Sequence, residues 1–133
     1  MNAITMLKAD HQAVQKLFRA FDAVGDKAHK TKQKLGDQIL TELDLHAALE
    51  EEVFYPAVQA QAPKDLAETL AEGIQEHHVV HILVDELKAL VASDAVYDPK
   101  MAVLIENVEH HIEEEESELL PAAQKVLGKE VET

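Results

Sequence analysis

Apolar residues recur at three- and four-residue steps along four stretches of the chain, the period of a helix with one buried face. The stretches cover about residues 3–24, 30–61, 64–91 and 99–127. Breakers separate them: Gly25, Pro63, the pair Ser93–Asp94, and Gly128. Pro63 and Pro99 stand near helix starts, where a missing N–H costs little. The pattern predicts a single all-α domain over residues 1–133, built as a four-helix bundle.

Each stripe can be written out. The first reads Ile4, Leu7, His11, Val14, Phe18, Phe21, and the second Ile39, Leu43, His46, Glu50, Val53, Ala57. The third reads Leu66, Leu70, Ile74, His77, His81, Val84, Leu87, and the fourth Met101, Leu104, Val108, His111, Glu115, with Ala122 and Val126 beyond. All four carry His or Glu near the middle, where apolar side chains belong. An unpaired buried polar group costs about 1–3 kcal/mol, and a charged one more. A marginally stable domain does not absorb that several times over. Metal ions at mid-bundle would satisfy all of these groups together.

An internal repeat narrows the donor set. His46-Ala-Ala-Leu-Glu50-Glu51 with Tyr55-Pro56 aligns without a gap on His111-Ile-Glu-Glu-Glu115-Glu116 with Leu120-Pro121. A His and a Glu four apart share one helix face, about 6 Å apart along the axis. Asp10-His11 matches Glu76-His77 less closely, and the chain reads as two related helical hairpins. Four residues after His11 stands Gln15, but four after His77 stands His81. The expected division is one ion on His11 and His46, a second on His77, His81 and His111, and Glu50 and Glu115 as bridges. Oxygen and nitrogen donors without sulfur suit Fe, Mn or Zn. Two carboxylates offset only part of the charge of two divalent ions, so an oxide or hydroxide bridge is expected as well. The uneven division leaves the vacant coordination position on the two-histidine ion.

Composition removes alternatives. There is no cysteine, which excludes disulfides, thiolate catalysis and iron–sulfur clusters. The net charge of −14 argues against nucleic acid and against an anionic membrane surface as partners. No apolar run is long enough to span a bilayer, and the N-terminus lacks the pattern of a signal peptide. The default location is the cytoplasm.

The combination of His11, His46-x-x-x-Glu50, His77-x-x-x-His81 and His111-x-x-x-Glu115 resembles the hemerythrin-like (HHE cation-binding) domain over nearly the whole chain. The resemblance implies an up-down-up-down antiparallel bundle around an oxo- or hydroxo-bridged di-iron centre. It also implies a small-molecule partner: O₂ for storage, carriage or sensing, or else peroxide or NO chemistry, or iron handling. The O₂-carrying hemerythrins place the carboxylate of the fourth helix one residue further from its His and use Asp. His110 with Glu115 would copy that spacing, whereas the repeat favours His111.

Several residues are read conservatively. His78 and His110 lie about 100° around the helix from proposed ligands and are taken as surface groups or as partners of ligands. His29 is taken as exposed. Glu51 and Glu116 are taken as surface positions or as partners of ligands, and Tyr55 as either a packing residue or a group that reaches the site. Pro56 and Pro121 are expected to produce matching bends. Val14, Val108 and Ile112 are core residues, and Val14 and Val108 are expected to line a small dry pocket at the open metal position. No residue set identifies an enzyme. A ferritin-like di-iron oxidase is set aside, because no Glu stands three residues before any His. A zinc hydrolase is set aside because five histidines exceed what one catalytic zinc needs. A sensing role would require an unidentified protein partner to read it.

Overall fold

The computed structural model describes residues 3–25 and 28–127. Its elements are α1 (Ala3–Asp22), α2 (His29–Leu49), a π turn (Glu50–Phe54), α3 (Tyr55–Gln61), α4 (Lys64–Lys88), α5 (Tyr97–Glu114), a second π turn (Glu115–Leu119) and α6 (Leu120–Leu127). No strand occurs among the described residues. The π turns join α2 to α3 and α5 to α6, so the eight elements form four rods.

Short connections make successive rods antiparallel neighbours: α1 packs on α2, and α4 packs on α5. The two hairpins meet through α2 with α4, α3 with α6, and α1 with α5. Pro63 caps the start of α4 in an extended conformation, with Asp65 in the first turn to complement the helix dipole. At the far end, the loop before α5 is tied to α2 by the Ala92 amide donating to Gln33 Oε1 at 2.7 Å. Lys32 bonds Asp98 at 2.5 Å at the same end.

Two apolar clusters fill the bundle on either side of a polar middle layer. One holds Val14, Phe18, Ile39, Leu43, Val84, Tyr97, Leu104, Val108 and Ile112. The other holds Ile4, Leu7, Phe54, Tyr55, Leu66, Leu70, Leu119 and Leu120. Between them lie His11, Glu50, His77, His111 and Glu115, all buried.

Both π turns begin at a glutamate of the polar layer and end two residues before a proline. The Tyr55 amide donates to the Glu50 carbonyl, and the Leu120 amide donates to that of Glu115. The proline ring at position 56 or 121 would clash with the carbonyl four residues earlier, and it has no N–H to offer. A turn wider by one residue removes the conflict. The cost is a shift of register. The sequence stripe places Val53 and Ala57 inside, yet Val53 is 59% exposed, and Phe54, Tyr55 and Val58 take the core positions. In the last rod Ala123 and Leu127 are buried where Ala122 and Val126 were expected. In α4, Ile74 lies outside and Gly73 is buried in its place.

Candidate metal centre

Four imidazoles and two carboxylates converge at mid-bundle, each from a different turn. His11 comes from α1, His46 from α2, His77 from α4 and His111 from α5, while Glu50 and Glu115 open the two π turns. Their donor atoms form two overlapping groups that could each hold a metal ion. One is His11, His46, Glu50 and Glu115, and the other is His77, His111, Glu50 and Glu115. Both glutamates belong to both groups.

Neighbouring donors stand close to 3 Å apart. His11 Nε2 lies 3.1 Å from His46 Nε2 and 3.1 Å from Glu115 Oε1. Glu50 Oε1 is 3.0 Å from His46 Nε2 and 3.1 Å from His77 Nε2, and His111 Nε2 is 3.0 Å from Glu115 Oε2. Buried carboxylate oxygens Glu50 Oε2 and Glu115 Oε1 have no hydrogen-bond partner. For Glu115 Oε1 the nearby imidazole is within reach but does not supply an aligned hydrogen bond. The layer is thus short of donors in its middle, which a cation would correct.

The outward nitrogen of every one of these histidines donates to a carboxylate. His11 Nδ1 bonds Glu116 at 2.7 Å, His46 Nδ1 bonds Asp10 at 3.2 Å, His77 Nδ1 bonds Glu51 at 2.8 Å, and His111 Nδ1 bonds Glu76 at 2.8 Å. Each clamp is the sequence neighbour of one metal-layer residue and serves a histidine on another rod. Such partners fix the ring and the tautomer, leaving Nε2 free to face the centre. Glu51 and Glu116 were read as surface positions or as partners of ligands; they are part-exposed, and they hold His77 and His11 in place.

Tyr55 was the ambiguous residue, and its position is decided here. Its ring is 2% exposed. Its hydroxyl donates to Glu115 Oε2 at 2.8 Å and lies 3.0 Å from His77 Nε2 and 3.3 Å from His111 Nε2. Burial, reinforced by the charges of Glu50 and Glu115, pushes its pKa up, so the phenol keeps its proton. Gly73 leaves room for this approach, its nearest neighbours being His111 and the Tyr55 hydroxyl. In the repeat, Leu120 aligns with Tyr55, so only one half of the centre receives a phenol.

The carboxylates also govern protonation in the metal-free protein. Burial lowers the His46 pKa, but the hydrogen bond and charge of Glu50, helped by Asp10, outweigh it and raise the pKa to about 9. His111 behaves alike: burial opposes, Glu115 and Glu76 prevail, and the pKa is again about 9. His77 is raised by Glu50 and Glu51 against the same burial effect. Burial would raise Glu115, but its close contacts with Glu50, His11 and His111 hold it well below the usual carboxylate range.

An apolar cavity of about 40 Å³ adjoins the centre. Val14, Leu43, Val80, Val108 and Ile112 wall it, and His11, His46, His77 and His111 line its inner end. The expectation of a small pocket beside Val14 and Val108 agrees with this. His111, not His110, enters the centre; His110 is exposed and pairs with Glu114 on its own helix. His29 and His78 are exposed. His81 was grouped with His77 and His111, and it lies near His77 in a separate donor group with Glu51. Its half-exposed ring points Nε2 at Glu51, 2.7 Å away, and it belongs to neither four-residue group.

The chain has relatives of known family. The model of the hemerythrin HHE cation-binding domain matches residues 2–123. The chain belongs to that family. It is 32% identical over 127 residues to an uncharacterized Mycobacterium tuberculosis protein, Rv2633c, a match covering 92% of this chain and 72% of that protein. It is 26% identical over 121 residues to an uncharacterized hemerythrin-like protein of Schizosaccharomyces pombe, covering 91% of this chain but only 59% of the yeast protein. The crystal structure of an HHE domain-containing protein from Mycobacterium kansasii, a homolog of Rv2633c, superposes with a TM-score of 0.77. That match is at 27% identity over 95% of this chain and 74% of that one. No helix among the described residues is long and apolar enough to cross a membrane.

Proposed function

We propose that this HHE domain holds two iron ions and uses them to bind O₂ or a related small molecule. The observation that carries the reading is the pair of buried carboxylates, each with an unpartnered oxygen, among four imidazole Nε2 atoms. Imidazole nitrogen and carboxylate oxygen without sulfur are donors that suit iron. His11 and His46 would hold one ion, His77 and His111 the other, with Glu50 and Glu115 shared between them. Bound ferrous iron would supply the electrons that a ligand such as O₂ accepts.

The chain's own residues do the rest. The four carboxylate clamps orient the imidazoles and make them better donors. The apolar cavity gives a diatomic molecule room and excludes bulk water. With two histidines in each buried group, the two halves differ in Tyr55, whose place in the half of His11 and His46 is taken by Leu120. Tyr55 favours a second reading, reduction of peroxide or NO, because those reactions consume protons and its hydroxyl is a proton donor inside the centre.

Loading the protein with ferrous iron without air, measuring iron per chain, and recording the visible spectrum as O₂ is admitted and removed tests both. Two irons and a band that appears and vanishes reversibly support a carrier or sensor. Two irons with an irreversible change support the redox reading, and Tyr55→Phe should then slow turnover with peroxide or NO. Absence of bound iron would refute the assignment.

A further inference from the structure

Glu51 touches two histidines with one oxygen. Its Oε2 lies 2.8 Å from His77 Nδ1 and 2.7 Å from His81 Nε2. His77 faces inward, with Nε2 at 3.1 Å from Glu50 Oε1, while the His81 side chain is 41% exposed and that of Glu51 38%. Glu51, His77 and His81 therefore form one of two further groups of donors close enough to share a cation among the described residues, the other being Glu76, His110 and Glu114. Glu51, His77 and His81 make a continuous row of donor atoms from solvent to the centre.

The other half of the repeat lacks such a row. Glu116 corresponds to Glu51 and clamps His11 in the same way, but Gln15 stands where His81 would be. Orientation of His77 therefore does not require a second histidine on its clamp, since His11 is oriented without one. Nitrogen and carboxylate oxygen at an exposed position suit a hydrated first-row divalent cation, which can exchange waters for ligands one at a time. The net charge of −14 concentrates such cations near the surface.

We infer that Glu51 and His81 form an exposed divalent-cation site through which ferrous iron enters the buried centre by way of His77. The inference rests on the di-iron reading above and adds an entry route to it. His81 on this account is an entry ligand and not a resident one.

The test uses His81→Gln, which copies the first half of the repeat, with His110→Leu as a control. The control likewise copies the repeat, removing an exposed histidine that belongs to a separate donor group with Glu76 and Glu114. Metal-free protein is mixed with ferrous iron without air, and unbound iron is captured by ferrozine at timed intervals. Iron-loaded protein is titrated with Mn²⁺ and followed by electron paramagnetic resonance. Expected for His81→Gln are the same final iron per chain as the wild type, loading about tenfold slower at limiting iron, and an exchangeable Mn²⁺ site weakened about tenfold or lost. His110→Leu should load at the wild-type rate. A lower final iron content in His81→Gln would make His81 a resident ligand and overturn the inference. So would an unchanged loading rate, equal slowing by His110→Leu, or a Mn²⁺ site indifferent to His81. A wild type that takes up no iron at all would refute the di-iron reading itself and this inference with it, and the wild-type endpoint reports that separately from any rate.

Discussion

Glu115→Ala isolates the electrostatic logic of the centre, and its effect on the metal-free protein can be worked from the structure. The side chain is 1% exposed. Its oxygens lie 3.1 Å from His11 Nε2, 3.0 Å from His111 Nε2 and 2.8 Å from the Tyr55 hydroxyl. Alanine would leave a raised-pKa imidazole and a phenol buried without their acceptor. Removing one partner of a buried ion pair costs about 3–5 kcal/mol, because the other is left uncompensated. For a domain of this size each kcal/mol moves the midpoint by about 3–5 °C, so the melt should fall by roughly 10–20 °C. The assay is thermal unfolding of the metal-free protein at pH 7 by circular dichroism, with Glu118→Ala as reference. Glu118 lies in the same π turn but is exposed, and its loss should stay within about 0.5 kcal/mol. If Glu115→Ala melts within about 3 °C of the wild type, the buried network is not held together as described.

Other outcomes follow from the same geometry. The pKa values of His46 and His111 are raised from 6.5 to about 9, so their stabilisation of the metal-free protein is complete below pH 6.5 and is lost as pH rises through 9. Stability should fall across that interval by up to about 3 kcal/mol per histidine, seen as a falling melting temperature. Metal affinity should strengthen over the same range as the competing protons leave; a flat profile in both would contradict the assignment. Glu116→Gln weakens the hold on His11 without removing a donor, and equilibrium titration should show iron binding about 10–100-fold weaker. Val108→Phe overfills the cavity of about 40 Å³, which should cost about 1–3 kcal/mol in a denaturant melt and slow O₂ binding in stopped flow. Unchanged O₂ kinetics would mean the ligand enters elsewhere.

The four rods and six of the central donors were legible in the sequence. A helix repeats every 3.6 residues, so its own spacing tells which side chains share a face. His11, His46, Glu50, His77, His111 and Glu115 stand on otherwise apolar stripes, where an uncompensated polar group would be too costly to keep. Three other features came only with the tertiary structure. The π turns add a residue at Glu50 and Glu115, which moves Phe54, Tyr55 and Val58 inward and brings the Tyr55 hydroxyl to the centre. The clamps Asp10, Glu51, Glu76 and Glu116 look like solvated surface on their own helices, because each points about 100° away from its neighbour in the metal layer. His81 keeps the spacing of a ligand, yet meets Glu51 before it meets the centre. Periodicity along one helix determines which face a residue occupies. The packing of neighbouring rods determines which atoms meet across that face, and the carboxylates that hold the four imidazoles all reach them from another rod.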